Sequence, residues 1–375
     1  MRRRCWTFAA ACVIGLLAAP PAFAIIPGQE SDALFDQPGE FWSGMNWDYV
    51  YTLDSYNGVG IRDGTYVSIG YFYLLTARHF TTSPGDKLHV NGDEFEVVGI
   101  YYAPADPNQT LPPDLRVLKL RNNTNPFRPL PGYYPIYTGS LSRPNDYLVL
   151  VGTGYSGVGR SADYIQDKAT GRVKRWGTNQ WRNNERMQLL VNFNTSVFRM
   201  TYGQIDTKYE VGLAEGDSGG GAFVRAPGQS EWMLAGINLY REGGPTSGKD
   251  MWAAKLSDYA DWIHARLAYD VLPGDTDGDG DVDAEDYLQV KLNLGTPAGA
   301  SWAMGDFDGD HDVDGYDLFA IETNFGLTTT PHSFLDPAVL SAGAVGIDGA
   351  VPAPAGAALL AAGALGLLRR RRRRL

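Results

Sequence analysis

Ser218 stands in the run Gly216-Asp217-Ser218-Gly219-Gly220, a hydroxyl held between glycines. Glycine takes backbone conformations closed to other residues, so this run can turn sharply and present the hydroxyl as a nucleophile. The same turn can aim the Gly216 and Ser218 N–H groups at a substrate carbonyl, an arrangement that stabilises an oxyanion. A serine hydroxyl is a weak nucleophile at neutral pH and needs a neighbouring base. His79 closes the apolar run Leu74-Leu75-Thr76-Ala77-Arg78-His79. Asp114 opens Asp114-Leu115-Arg116-Val117-Leu118-Lys119-Leu120, behind Pro112-Pro113. A histidine at a strand end can take the serine proton, and an aspartate at a strand start can fix its tautomer. The bland alternatives are a structural histidine and a turn aspartate, with Asp106 competing for the acid role.

A second constellation lies downstream. Asp275, Asp277, Asp279, Asp281 and Asp286 occupy alternating loop positions and position 12, with Gly280 at position 6. Oxygen ligands at this spacing, with a glycine for the turn, suit a hard cation such as Ca²⁺. The pattern recurs 31 residues later as Asp306, Asp308, Asp310, Asp312 and Asp317, with His311 in place of the glycine. Two calcium sites are expected. Thirteen acids stand between 275 and 317 against one lysine, so without a cation this segment would repel itself. The alternative is a solvated acidic linker. Against it, each loop runs into an amphipathic stretch, Tyr287, Leu288 and Leu292 after the first and Leu318, Ile321 and Phe325 after the second.

Short β-rich runs must carry the first constellation. Thr65–Gly70, Tyr71–Ala77, Lys87–Val90, Glu94–Tyr102, Leu115–Leu120, Tyr147–Gly152, Gly221–Val224 and Trp232–Leu239 read as strands between Gly, Pro, Asn and Asp. That spacing predicts an all-β sandwich or barrel. One helix is predicted at Leu256–Leu267, and segments 160–186 and 241–250 are expected to be loops beside the cleft.

The two ends differ from the body. Arg2, Arg3 and Arg4 precede an apolar run from Phe8 to Ala19 and Ala22-Phe23-Ala24, the pattern of a secretory leader over residues 1–24. Both cysteines, Cys5 and Cys12, lie inside it, so no disulfide is expected in the mature chain. Residues 328–350 read as a linker. Residues 351–375 carry a short apolar run closed by six arginines, a stop-transfer pattern. Setting aside the nine arginines of the two ends takes the formal charge from −11 to −20, and so acidic a body argues against nucleic acid as a partner.

LLTARH, DLRVLKL and GDSGGGAF, in that order, resemble the signature blocks of trypsin-like (chymotrypsin-fold) serine proteases. MWAAKLSDYADWI resembles the last strand and closing helix of that family. The resemblance covers residues 25–267. It implies two six-stranded β-barrels with a cleft between them, and a catalytic triad of His79, Asp114 and Ser218 in the chain order of that family. It implies Gly216 and Ser218 as oxyanion donors, and Gly212, Leu239 and Tyr240 as substrate-pocket residues. Gly212 replaces the aspartate of trypsins, so a preference for Arg or Lys is not implied. Cleavage after Ala24 would expose Ile25, whose α-amino group would pair with Asp217 as in activated members. The duplicated loop-and-helix unit at 272–327, with its NLG and NFG endings, resembles a type I dockerin, a small helical module with two EF-hand-like loops. That implies a cohesin partner. Ala284-Glu285 and Gly315-Tyr316 stand at its recognition positions, in place of the common small hydroxyl pair. The tail resembles a PEP-CTERM sorting signal processed by an exosortase, with Ala353 in place of the usual glutamate. The expected protein is an exported serine endopeptidase of the cell envelope, acting on proteins or peptides through an acyl-enzyme. The alternative is an inactive protease-like binding or scaffold protein.

Overall fold

The computed structural model describes residues 26–27, 45–55, 64–141, 147–160, 163–189, 192–202, 209–225, 230–242, 250–268 and 270–328. The expected leader at 1–24, Ile25, nearly all of the 328–350 linker and the 351–375 tail lie outside the described residues. Among the described residues, no helix is long and apolar enough to cross a membrane.

The chain is mostly β. In order it forms β1 (Ile26–Pro27), β2 (Val50–Tyr51), β3 (Tyr66–Gly70), β4 (Tyr73–Thr76), β5 (Lys87–Val90), β6 (Asp93–Tyr102) and β7 (Arg116–Asn122). It continues with β8 (Tyr147–Gly152), β9 (Tyr155–Arg160), β10 (Asp163–Arg172), β11 (Arg175–Leu189), β12 (Phe193–Thr201) and β13 (Val211–Gly212). Then come β14 (Gly221–Arg225), β15 (Trp232–Arg241) and β16 (Asp250–Lys255), followed by α1 (Ala260–Leu267), α2 (Ala284–Asn293) and α3 (Gly315–Asn324).

Two six-stranded antiparallel sheets make up the body, the double barrel expected from the sequence. The first runs β2-β3-β4-β7-β6-β5, and the second is a closed barrel, β11-β12-β16-β15-β14-β8. Beside β2, Asp54 and Lys87 exchange backbone hydrogen bonds of 2.8 and 2.9 Å, seaming the first sheet's edges. Side chains alternate across a strand, and here both faces are buried. Leu148 and Leu150 of β8 point into the second barrel's core, while Val149 and Val151 join the cluster between the barrels. Tyr66 of β3 packs inside the first unit, and Val67 and Ile69 face the inter-barrel cluster. This two-sided burial makes these strands read as unbroken apolar runs.

The segment expected as a loop at 160–186 is largely strand. β9 and β10 form a two-stranded ribbon, and β11 pairs with both β8 and β12. Its composition hid it. Thr178, Asn179 and Gln180 are buried polar residues, and Asn179 Nδ2 satisfies the Val211 carbonyl at 2.9 Å. The helix expected over Leu256–Leu267 begins as a single 3₁₀ turn, Leu256–Asp258, before α1.

The C-terminal helices pack on the first barrel. Val282, Val290, Val313, Ala320 and Ile321 share a cluster with Tyr71 and Phe127. Asn324 Nδ2 donates to the Phe127 and Pro273 carbonyls at 2.9 and 2.7 Å. The helix phase differs from the expected stripe in the first unit. There Asp286 and Val290 turn inward and leave Leu288 and Leu292 exposed at 58% and 72%. In the second, Ile321 is buried and Leu318 packs against the same cluster as expected, beside the inward Asp317, and only Phe325, just past the helix, is exposed at 57%. The inward aspartates set this phase, because each closes a capping box with the residue before its helix.

Asp270 ties the connecting segment to the β3–β4 turn, accepting from the Tyr71 and Phe72 N–H groups at 2.6 and 3.2 Å. A Cβ on Gly70 would lie 2.1 Å from its Oδ2, so glycine is needed there. Asp270→Ala strands these main-chain donors and is expected to cost about 2–3 kcal/mol in chemical denaturation.

Candidate active site

His79 follows β4 and Asp114 precedes β7, and these strands are neighbours in the first sheet. Their pairing brings the two residues together. Asp114 Oδ2 lies 2.7 Å from His79 Nδ1, and its Oδ1 accepts from the His79 backbone N–H at 2.8 Å. Asp114 is fully buried, so its lone pairs must be satisfied by protein groups. Its own N–H donates to Thr195 Oγ1 at 2.9 Å, and Asn194 N–H donates to the Pro112 carbonyl at 3.0 Å. The second barrel thus steadies the loop that carries the acid. Asp106, the competing candidate, lies instead beside Arg186 at 3.3 Å.

Ser218 lies between β13 and β14, just before that second-barrel strand. The first barrel holds it through Thr65. Thr65 N–H donates to the Ser218 carbonyl at 3.0 Å, and Thr65 Oγ1 donates to the Gly216 carbonyl at 3.0 Å. Thr76, at the end of the strand leading to His79, donates its hydroxyl to the Thr65 carbonyl at 2.7 Å. One short path therefore connects the Ser218 turn to the strand that leads to His79. Gly216 and Gly219 adopt φ of 93° and 82°, and a Cβ on Gly219 would sit 2.1 Å from the Thr65 carbonyl. Only glycine fits this seam.

The Ser218 hydroxyl donates to the Leu239 carbonyl at 3.0 Å, and no hydrogen bond joins it to His79. Such contacts commonly tighten only once substrate is bound. Among the described residues, the Gly216 and Ser218 N–H groups make no backbone hydrogen bond. Asp217 points the other way, fully buried, its oxygens accepting from Gly154 N–H at 2.8 Å and Ala214 N–H at 2.6 Å. Burial pushes its carboxyl up to about 7, against the pull of these N–H groups and of the Arg172 and Arg175 guanidiniums.

Of the expected pocket residues, Leu239 is buried and Tyr240 stacks on Trp252 with ring centroids 5.9 Å apart. Gly212 pairs with Ile26 of β1, and a Cβ on it would come within 3.2 Å of the Tyr202 ring. Ile25, the expected partner of Asp217, lies outside the described residues. Thr65, Thr153, Thr195 and Arg172 surround the site without having been anticipated. Their contacts span sequence separations as large as 151 residues, and no local pattern marks them.

The acidic loops gather their carboxylates as a cation site would. Oxygens of Asp275, Asp277 and Asp286 lie within 4.8 Å of one another, as do those of Asp306, Asp308 and Asp317. Asp281 and Asp312 belong to overlapping clusters with Asp286 and Asp317. Asp279 and Asp310 lie outside these clusters and accept from the Asp281 and Asp312 N–H groups at 3.1 and 3.0 Å. Burial, reinforced by the neighbouring carboxylates, raises Asp275 to about 7 and Asp308 to about 6. Clustered carboxylates whose charge is this unfavourable fit a divalent cation held by oxygen.

The trypsin family model matches residues 61–263, and the type I dockerin domain model matches residues 273–325. No curated protein matches the chain.

The packing against Asp217 makes a direct prediction. A Cβ at Gly152 would fall 2.1 Å from Asp217 Oδ1. Gly152→Ala is expected to destabilise the fold by about 1–3 kcal/mol, read as a lower denaturation midpoint with an unchanged slope.

Proposed function

The chain belongs to the trypsin family, whose model covers more than half of it, and on that premise we propose that it is an exported serine endopeptidase. The fold is that of a serine-type peptidase, and the dockerin domain beside it fits a protease that docks to a partner. The carrying observation is the Asp114–His79 pair, with two hydrogen bonds of 2.7 and 2.8 Å, on the sheet that is tied to the glycine-bounded Ser218 turn through Thr65 and Thr76.

In this reading His79 takes the Ser218 proton as the hydroxyl leaves the Leu239 carbonyl and attacks the scissile peptide carbonyl. The oxyanion lodges against the Gly216 and Ser218 N–H groups. Asp114, bonded to Nδ1, leaves Nε2 as the basic nitrogen and stabilises the imidazolium. The imidazolium then protonates the leaving amine, an acyl-enzyme remains on Ser218, and water releases it through the same base. Gly212, Leu239 and Tyr240 are assigned to the substrate pocket.

The proposed division is a leader at 1–24, the peptidase at 25–267, the dockerin at 272–327, a linker at 328–350 and a sorting or anchoring tail at 351–375. The dockerin aspartates would hold two calcium ions, and its partner would be a cohesin. The arginine-ended tail supports retention at the cell envelope by machinery of the exosortase type.

Hydrolysis of a mixed peptide library is expected from the protein and is expected to vanish with Ser218→Ala. No cleavage by the folded parent protein would assign the barrels to recognition instead. Calcium is expected to raise the unfolding temperature, each occupied site stabilising the fold by about 2.7 kcal/mol at a hundred times its dissociation constant. Chelator should reverse the rise, and an unfolding temperature indifferent to both would refute the calcium sites.

A further inference from the structure

Arg172 ends β10 and reaches into the seam between the barrels. Its Nε donates to the Thr153 carbonyl at 2.9 Å. Its Nη2 lies 2.9 Å from the Gly64 carbonyl, 3.0 Å from Thr153 Oγ1 and 3.2 Å from the Gly216 carbonyl. One guanidinium thus spans the approach to β3, the segment after β8 and the nucleophile turn. Its rigid fork of donors suits such a junction, which a lysine could satisfy only in part.

The Gly216 carbonyl is held twice, by Arg172 and by Thr65 Oγ1 at 3.0 Å. Thr65 Oγ1 is itself 2.7 Å from Thr153 Oγ1, so the holders brace one another. A peptide is planar, so holding this carbonyl fixes the Gly216–Asp217 plane, and with it one side of the turn whose N–H groups face the substrate. The same guanidinium acts electrostatically on Asp217, the buried carboxylate one residue before the nucleophile. Both Asp217 oxygens already accept main-chain hydrogen bonds, from Gly154 and Ala214.

We propose that Arg172 is a positioning residue for the oxyanion donors, and that it sets the nucleophile turn from within the chain without requiring a free α-amino group at residue 25. The inference rests on the serine peptidase reading above. Arg172 touches no reacting atom. It acts by holding the Gly216 carbonyl and by placing positive charge near Asp217, so the turn is formed as soon as the barrels fold.

The test compares four proteins, each continuing to Leu375: the chain starting at Ile25, the same chain with Gly-Ser added ahead of Ile25, Arg172→Met and Arg172→Lys. The readouts are kcat and KM for a peptide substrate, and the affinities of a peptide aldehyde and of the matching product peptide. The aldehyde adduct needs the oxyanion donors and the product does not. Arg172→Met is expected to lower kcat about 10²–10³-fold, the scale of a lost oxyanion donor, with KM changed less than about threefold. Aldehyde affinity should fall with kcat, product affinity should hold, and Arg172→Lys should recover part of the loss. The Gly-Ser extension should leave kcat within about twofold. It carries no substitution, so it stays decisive if Arg172→Met fails to fold. A kcat unchanged in Arg172→Met, or aldehyde and product affinities that fall together, would overturn the positioning role. A loss above about tenfold on extension would restore the α-amino group as the activating cation. A parent protein that hydrolyses nothing would overturn the peptidase reading and this inference with it.

Discussion

The hydrogen bond from Thr65 N–H to the Ser218 carbonyl is the constraint on which the site depends. It joins the barrel that carries His79 and Asp114 to the barrel that carries Ser218. A serine and a histidine on separate sheets would otherwise rely on apolar packing for their register, and packing alone tolerates shifts larger than the proposed proton transfer would. Thr65 removes that freedom with its main chain and its side chain together. Glycine at 219 follows from this contact, because any Cβ there would meet the Thr65 carbonyl. The buried threonine and arginine contacts around Thr65 then bring the segment after β8 into the same junction.

The C-terminal module meets the body at a different edge. Asp270, Phe127 and Asn324 fasten it to the first barrel. The seat covers α3 more than α2, whose Leu288 and Leu292 stay exposed. Cation binding at 275–286 would therefore order a loop that directly follows the Asp270 tie. The module and the first barrel share a small core that includes Tyr71, Phe127, Val282 and Ile321.

Much of this was legible in the sequence, and the reasons are physical. Strands such as β8 announce themselves because burial on both faces demands continuous apolar residues. The glycine-bounded serine and the alternating aspartates stand out because the chemistry proposed for them needs particular residue types at fixed spacing. β11 was not legible, because its buried Thr178, Asn179 and Gln180 are satisfied by hydrogen bonds from elsewhere in the fold. The inward face of α2 was misread because a capping aspartate, rather than an apolar residue, sets the helix phase. Arg172 carried no signal at all, since its partners at Gly64, Thr153 and Gly216 meet only in the folded chain.

The account stands on Ser218 being a nucleophile activated by His79. The most direct measurement is to treat the protein with a peptidyl diphenyl phosphonate and locate the adduct by mass spectrometry. A single adduct on Ser218, formed far more slowly in His79→Ala, is the predicted result. A folded protein that forms no adduct, or one that labels equally fast without His79, would contradict the account.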